Sequence, residues 1–280
     1  MVTSMADVLA GIAISGFLVE TLSPGNFWAV TLLCFSTLGL YGGGVVFNDI
    51  FDADLDRLER PERPIPSGLI SLKEAVTLAS LFLIFGIFAA FLVNLTCGLL
   101  AISITLAALV YNKWGKHQPF IGPVNMGLCR GLNLLLGIGI LPLAIFQWWY
   151  IAVVPIIYIS SITMISRGEV HGSKRTPLYF AALLYMLVIG FILYFAFTKG
   201  MLLLTLFFIF PFAWMIFKPL WTAVGDPVGS NIGKAVKAGI ISLIVMDASW
   251  AAASGESVAA IAIVLLLPIS FWLARLFAVT

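Results

Sequence analysis

Apolar stretches long enough to cross a bilayer recur along almost the whole of this chain, and that recurrence constrains its fold more than any other feature. Ten can be drawn, at roughly 5–22, 27–50, 71–94, 96–112, 121–141, 146–165, 177–197, 200–217, 232–252 and 257–277. Each is near the ~20 residues a helix needs to cross a hydrocarbon core of about 30 Å. In lipid every backbone N–H and C=O must be satisfied within the protein, which leaves helices or closed barrels. Barrel strands show short alternating segments, and none are present. With 61% of its 280 residues hydrophobic and 10% charged, the chain is not a soluble domain. The expected class is an all-α polytopic membrane protein.

The loops divide by charge. Those after even-numbered segments carry Arg57, Arg60, Arg63 and Lys73; Lys113 and Lys116; Arg167, Lys174 and Arg175; and Lys218, Lys234 and Lys237, with Arg275 at the same end. The loops after odd-numbered segments hold only Lys199. Positive residues stay inside, so the even loops and both termini are expected in the cytoplasm. The first apolar stretch lacks a basic leader and runs on into further segments, unlike a cleavable signal peptide. Cys34, Cys97 and Cys129 lie within apolar runs at unrelated spacings, as small core residues rather than a disulfide or zinc framework. A net charge of +2 gives no nucleic-acid signal.

Against this background the segment Asn48-Asp49-Ile50-Phe51-Asp52-Ala53-Asp54-Leu55-Asp56 stands out, following directly on the apolar run to Phe47. Asn48, Asp52 and Asp56 are spaced i, i+4, i+8, which on a helix makes one oxygen-rich ridge. Carboxylates near membrane depth cost about 2.5–3.5 kcal/mol each on insertion scales, so the ridge calls for cations. Hard oxygens on one face suit Mg²⁺ held by a few carboxylates together with substrate phosphates. Pro64 and Pro66 then break the helix and are expected to hold an extended segment before Gly68.

Asn-Asp-x-x-Asp-x-x-x-Asp followed by Arg-Pro-x-Pro-Ser-Gly resembles the first aspartate motif of the UbiA superfamily of intramembrane prenyltransferases. The residues that carry the resemblance are Asn48, Asp49, Asp52 and Asp56, then Arg63, Pro64, Pro66, Ser67 and Gly68. It implies a single domain over residues 1–280: a UbiA-like bundle of nine to ten transmembrane helices around a central cavity open to the cytoplasmic side. It also implies Mg²⁺ at Asp49, Asp52 and Asp56, a prenyl diphosphate donor, a hydrophobic acceptor and residence in a bacterial cytoplasmic membrane. Relatives enter their first helix through an Arg-Pro-x-Asn element, and Met1-Val2-Thr3-Ser4 begins after it, which implies a start placed too late.

Three further groups are candidates. Lys113, in Tyr111-Asn112-Lys113-Trp114-Gly115-Lys116-His117, matches a lysine the superfamily often places here and would bind diphosphate; an interfacial anchor flanked by Tyr111 and Trp114 is the alternative. Arg130, with Asn125 and Asn133, lies inside the fifth apolar segment, where charged residues face polar cavities. It contacts either diphosphate or acceptor, or it pairs structurally with an acid such as Asp247. Where the superfamily has a second aspartate motif, registering on Gly172 leaves Ser166, Glu169 and Ser173, crowded by Arg167, His171, Lys174 and Arg175. Glu169 would be a proton acceptor or the lone second-site ligand, and Arg167 a bidentate phosphate contact. Within the superfamily, Ser-Arg-Gly-Glu-Val-His-Gly is most similar to EboC-type proteins.

The leading expectation is therefore an intramembrane prenyltransferase. Asn48, Asp52, Asp56 and Glu169 are its candidate catalytic residues, and Arg63, Lys113, Arg130 and Arg167 its candidate diphosphate contacts. The altered second motif leaves open a non-catalytic carrier or accessory protein that uses the same pocket. An ion-coupled transporter predicts inverted repeats, and the polar motifs do not recur with reversed sidedness.

Overall fold

The computed structural model describes residues 2–20 and 24–276, and the side chains of all of these except 19, 20, 24–26, 117 and 274–276. The regular structure of the described residues is helical, with no strand among them. The helices are α1 (Val2–Ser15), α2 (Phe17–Glu20), α3 (Pro24–Glu59), α4 (Leu72–Val93), α5 (Leu95–Lys113), α6 (Ile121–Ile138), α7 (Pro142–Trp148), α8 (Val153–Ser166), α9 (Arg175–Thr198), α10 (Leu202–Gly225), α11 (Gly229–Ala253), α12 (Ser257–Val264) and α13 (Leu266–Leu276). Among the described residues eight helical segments are long and apolar enough to cross a membrane, with α7 and α8 forming one of them; α1 and Ser257–Leu273 are shorter apolar helices.

Within the described residues all ten apolar segments are thus largely helical, but the first and last are not single rods. The first breaks at Gly16, whose φ of 80° ends α1, because a left-handed residue cannot continue a right-handed helix. The last is interrupted at Leu265, between α12 and α13. The proline segment also differs from expectation. Residues 61–70 fold as successive turns rather than an extended strand, closed by Ser67 N–H to Arg63 O at 2.9 Å and Ile70 N–H to Pro64 O at 3.1 Å, with Gly68 at φ 77°. Ser71 and Glu74 then form a capping box that starts α4.

Close helix contacts set the frame. A β-carbon on Gly137 would lie 2.1 Å from the Val8 carbonyl oxygen, and one on Gly11 2.2 Å from that of Leu134, so α1 and α6 pack backbone to backbone. Gly39, Gly43 and Gly86 do the same for α3 and α4. Of the membrane-length helices, α11 has the largest buried share, 83% of its apolar window. By contrast, lipid-exposed faces such as Leu81, Phe88, Leu203 and Phe210 remain open on α4 and α10.

The connections sort to two ends. At one end Lys116 meets Asp52, Arg167 Nη2 donates to Gln118 O at 2.7 Å, Ser173 N–H to Pro227 O at 3.1 Å and Arg175 Nη2 to Gly225 O at 3.1 Å. At the other, Asn94 caps α5 and its amide reaches Gly139 O at 2.9 Å, while Lys199 lies 4.4 Å from the Trp148 ring centre. The four positively charged even loops therefore share one end with the acidic termination of α3. The side chain of Arg275, which the charge argument included, lies outside those described, as does that of His117.

Candidate active site at the acidic end of α3

A cavity of about 250 Å³ lies among α1, α3, α5 and α6. Leu40, Val45, Ile104, Ala108 and Met126 supply its apolar wall, and Tyr41 and Tyr111 are its aromatic lining residues. One end carries Asn48; the other carries Ser4, Thr37, Arg130 and Asn133. The ring-rich cluster of Trp148, Tyr150, Phe191, Phe195 and Trp250 lies elsewhere, among α7, α9 and α11.

Helix α3 runs past the cavity for three more turns, so the i, i+4, i+8 register places its ridge as expected. Asp56 is buried and Asn48 and Asp52 half-buried, whereas Asp54 turns outward to an exposed pair with Arg57 at 2.6 Å. Two cations hold the inward acids. Arg63, returned by the proline turns, reaches Asp49 at 3.1 Å and Asp56 at 3.0 Å. Lys116 pairs with Asp52 and lies 3.3 Å from Asn48 Oδ1. Low exposure makes these bonds worth more than surface pairs.

The lysine that meets the acids is thus Lys116, not Lys113. Helix α5 ends at Lys113, and the turn Gly115–His117 redirects the chain so that the next lysine points back at α3. Lys113 is exposed, 4.5 Å from the Trp114 ring centre, and makes no bond to the acids of α3.

Arg130 is buried at the far end of the cavity. Its Nη1 donates to Asp7 Oδ2 and its Nη2 to Thr3 Oγ1, both at 2.6 Å. Asn133 donates to Asp7 Oδ2 at 2.9 Å and to Ser4 O at 2.8 Å, and accepts from Thr37 Oγ1 at 2.7 Å. The direct partner of Arg130 is therefore Asp7, with Asp247 close by. Sequence reading missed Asp7, although the signal was present: an acid inside an apolar segment is as rare as Arg130 itself.

The segment 166–175 does not line the cavity. Its loop packs on the α10–α11 connection, where the Glu169 backbone touches Gly229 and its carboxylate faces Gly233. Partial desolvation there raises the Glu169 carboxyl above its ordinary 4.5. Arg167 is exposed and bound to Gln118 O, yet Tyr111 is within electrostatic reach of both Arg167 and Asp52. Glu169 thus stands away from the cavity, while Arg167 lies within electrostatic reach of Tyr111, one of the residues that line it.

The oxygen donors of Asn48, Asp49, Asp52 and Asp56 suit a hard cation. Among the described residues no three acids converge tightly enough to cage one. Such a set fits Mg²⁺ in the mode where one or two carboxylates and substrate phosphates share the ion.

Apolar helices of membrane-crossing length define a multi-span integral membrane protein, with an acid–cation cluster beside a cavity among four of its helices. The chain belongs to the UbiA prenyltransferase family, whose model matches residues 8–228. Digeranylgeranylglyceryl phosphate synthase from Methanococcoides burtonii is 36% identical over 132 residues, 46% of this chain and 47% of that protein. The synthase of the same name from Saccharolobus solfataricus is 30% identical over 162 residues, 57% and 56% of the two chains. The chain thus spans about half the length of these curated relatives. They do not support the EboC-type branch expected from residues 166–172. The apo structure of a UbiA homolog from Aeropyrum pernix K1 superposes with a TM-score of 0.70 at 17% identity, over 89% of this chain and 95% of that one. A structure of a digeranylgeranylglyceryl phosphate synthase gives 0.66 at 21%, over 90% and 92%. At those identities the likeness establishes the fold.

Proposed function

We infer that the chain transfers an isoprenyl group from a prenyl diphosphate to a lipid-like or aromatic acceptor, with Mg²⁺ as cofactor. The observation that carries this reading is the Asn48–Asp52–Asp56 ridge, with Asp49, tied to Lys116 and Arg63 at the mouth of a largely apolar cavity. One or two carboxylates of the set Asp49, Asp52 and Asp56 would hold Mg²⁺ together with the substrate phosphates, and the ion would supply Lewis-acid charge to the leaving diphosphate. Lys116 and Arg63 swing from their carboxylates onto the remaining phosphate oxygens, Arg63 as a fork and Lys116 as a point charge. Charge placed there favours ionisation of the allylic carbon–oxygen bond. The apolar wall from Leu40 to Met126 excludes water, so the allylic cation meets the acceptor before it is hydrolysed. Tyr41 and Tyr111 are the aromatic rings that line the same cavity. The shared positively charged end is assigned to the cytoplasm by charge bias. The names of the relatives make a glyceryl phosphate lipid one candidate acceptor.

The test is diphosphate release from geranyl, farnesyl and geranylgeranyl diphosphates with Mg²⁺ and an acceptor panel. The Asp52→Ala, Asp56→Ala double variant is expected to lose at least about a thousandfold in rate. Turnover equal to that of the unaltered protein removes this mechanism. The carrier reading rests on the altered 166–173 segment, which docks on α10–α11 instead of over the acids; tight donor binding without turnover across the panel supports it.

A further inference from the structure

The end of the cavity opposite Asn48 is built differently from its mouth. Thr37 lies eleven residues before Asn48 on α3, roughly 16 Å at 1.5 Å per residue. At that depth Arg130, Asn133, Ser4 and Thr37 form a polar floor beneath an apolar wall. An isoprenoid tail gains nothing from such groups, so the floor suits a polar group of the second substrate. About 250 Å³ is room for a one-ring body, since a 150 Å³ cavity already takes benzene.

What the floor offers depends on its charge. Arg130 is neutralised by Asp7 at 2.6 Å, and a second buried acid, Asp247 on α11, lies within electrostatic reach of both. Both carboxyls are 1% exposed, and Asp7 Oδ1 and Asp247 Oδ2 are buried oxygens without a hydrogen-bond partner. Two ionised carboxylates can only accept, so one proton held between them satisfies both oxygens and removes the repulsion. Arg130 and Asn133 on α6 and Tyr158 on α8 are the groups within reach of the pair, and Tyr41 on α3 is within reach of Arg130. Tyr158 is engaged with Gly239 O and Ser242. One guanidinium, two carboxyls and one shared proton sum to zero charge. The five N–H donors of the Arg130 fork exceed its two bonds to Asp7 and Thr3, so the floor still donates hydrogen bonds.

We propose that this floor is an uncharged hydrogen-bonding subsite for the acceptor, selecting a buried end that carries a neutral hydroxyl or carbonyl rather than a carboxylate or phosphate. It rests on the prenyltransferase reading only for the word acceptor. An anionic end would be desolvated against a guanidinium whose charge is already spent on Asp7. A phosphate-bearing acceptor then keeps its phosphate at the mouth, beside Lys116 and Arg63.

The experiment uses the full chain in nanodiscs, with a hydroxybenzoate and its methyl ester as probes and ligand-induced thermal protection as the readout. The ester is expected to bind at least about tenfold tighter. Equal or tighter binding of the carboxylate, or no binding of either probe, overturns the subsite. Asp7→Asn and Asp247→Asn singly keep the preference, because the surviving acid ionises and pairs with Arg130. The Asp7→Asn, Asp247→Asn double variant uncovers Arg130 and gains carboxylate binding by at least about tenfold; should it not fold, the probe comparison on the unaltered protein decides. The infrared carbonyl band of a protonated carboxylic acid is present at neutral pH and lost in either single variant; its absence from the unaltered protein refutes the shared proton. Geranylgeranyl diphosphate binding and release, measured on the same preparation, separates failure of this subsite from failure of the enzyme reading.

Discussion

Exchanging Lys116 and Lys113 for alanine, one at a time, separates a site lysine from an anchor. Lys116 pairs with Asp52, its side chain 14% exposed and that of Asp52 19%. A unit charge about 4 Å from a phosphate oxygen is worth about 4 kcal/mol at an effective dielectric of 20. The rim is partly solvated and Arg63 stays in place, so about half of that, roughly 2 kcal/mol, is expected to survive. That corresponds to a loss of about thirtyfold in donor affinity. Lys113 loses only an exposed contact with Trp114, worth about 0.5–1 kcal/mol to the anchor and nothing to the donor. Binding of geranylgeranyl diphosphate in detergent, titrated at several Mg²⁺ concentrations, reads both. The reasoning is refuted if Lys113→Ala weakens binding as much as Lys116→Ala. It also fails if Lys116→Ala binds donor as tightly or more tightly, since Lys116 then merely competes with the metal for Asp52.

The remaining predictions concern the frame. Arg130→Met leaves the Asp7–Asp247 pair without its cation and should destabilise the protein by about 3–5 kcal/mol, read by thermal unfolding in detergent; an unchanged midpoint contradicts the buried pair. Gly137→Ala puts a β-carbon 2.1 Å from the Val8 carbonyl and should cost about 1–3 kcal/mol, whereas Gly190→Ala meets nothing within 4 Å and should be neutral or slightly stabilising. Because the Glu169 carboxyl is raised above 4.5, the folded state keeps a proton that the unfolded state has shed. Stability should therefore fall as pH climbs from about 4.5 through the folded value. Glu169→Gln flattens that slope, and an unaltered pH profile in the variant argues against the desolvation.

How much of this was legible beforehand depends on the range of the interaction. The crossings and the inward ridge of α3 follow from local pattern, since hydrophobicity over ~20 residues and a period of 3.6 depend only on neighbours along the chain. The grouping of positive loops at one end was readable for the same reason: charge bias acts loop by loop. Asn48, Asp52, Asp56 and Arg63 were therefore found with their neighbourhood intact. Which lysine serves the ridge was not, because the turn at Gly115–His117 reverses the chain's direction and sequence proximity to a helix end does not encode that. Nor could spacing pair Asp7 with Arg130, 123 residues apart, or set Asp247 beside them. The position of 166–175 was likewise decided by packing, since a carbonyl on α10–α11 and one after α5 claimed its polar groups. Helical periodicity and hydropathy thus determined from sequence alone that the chain crosses the membrane repeatedly and presents an acidic face. Only the tertiary arrangement decided which cations answer those acids and that Asp7 answers Arg130 at the cavity's far end, because partners so distant in sequence meet only when the helices pack.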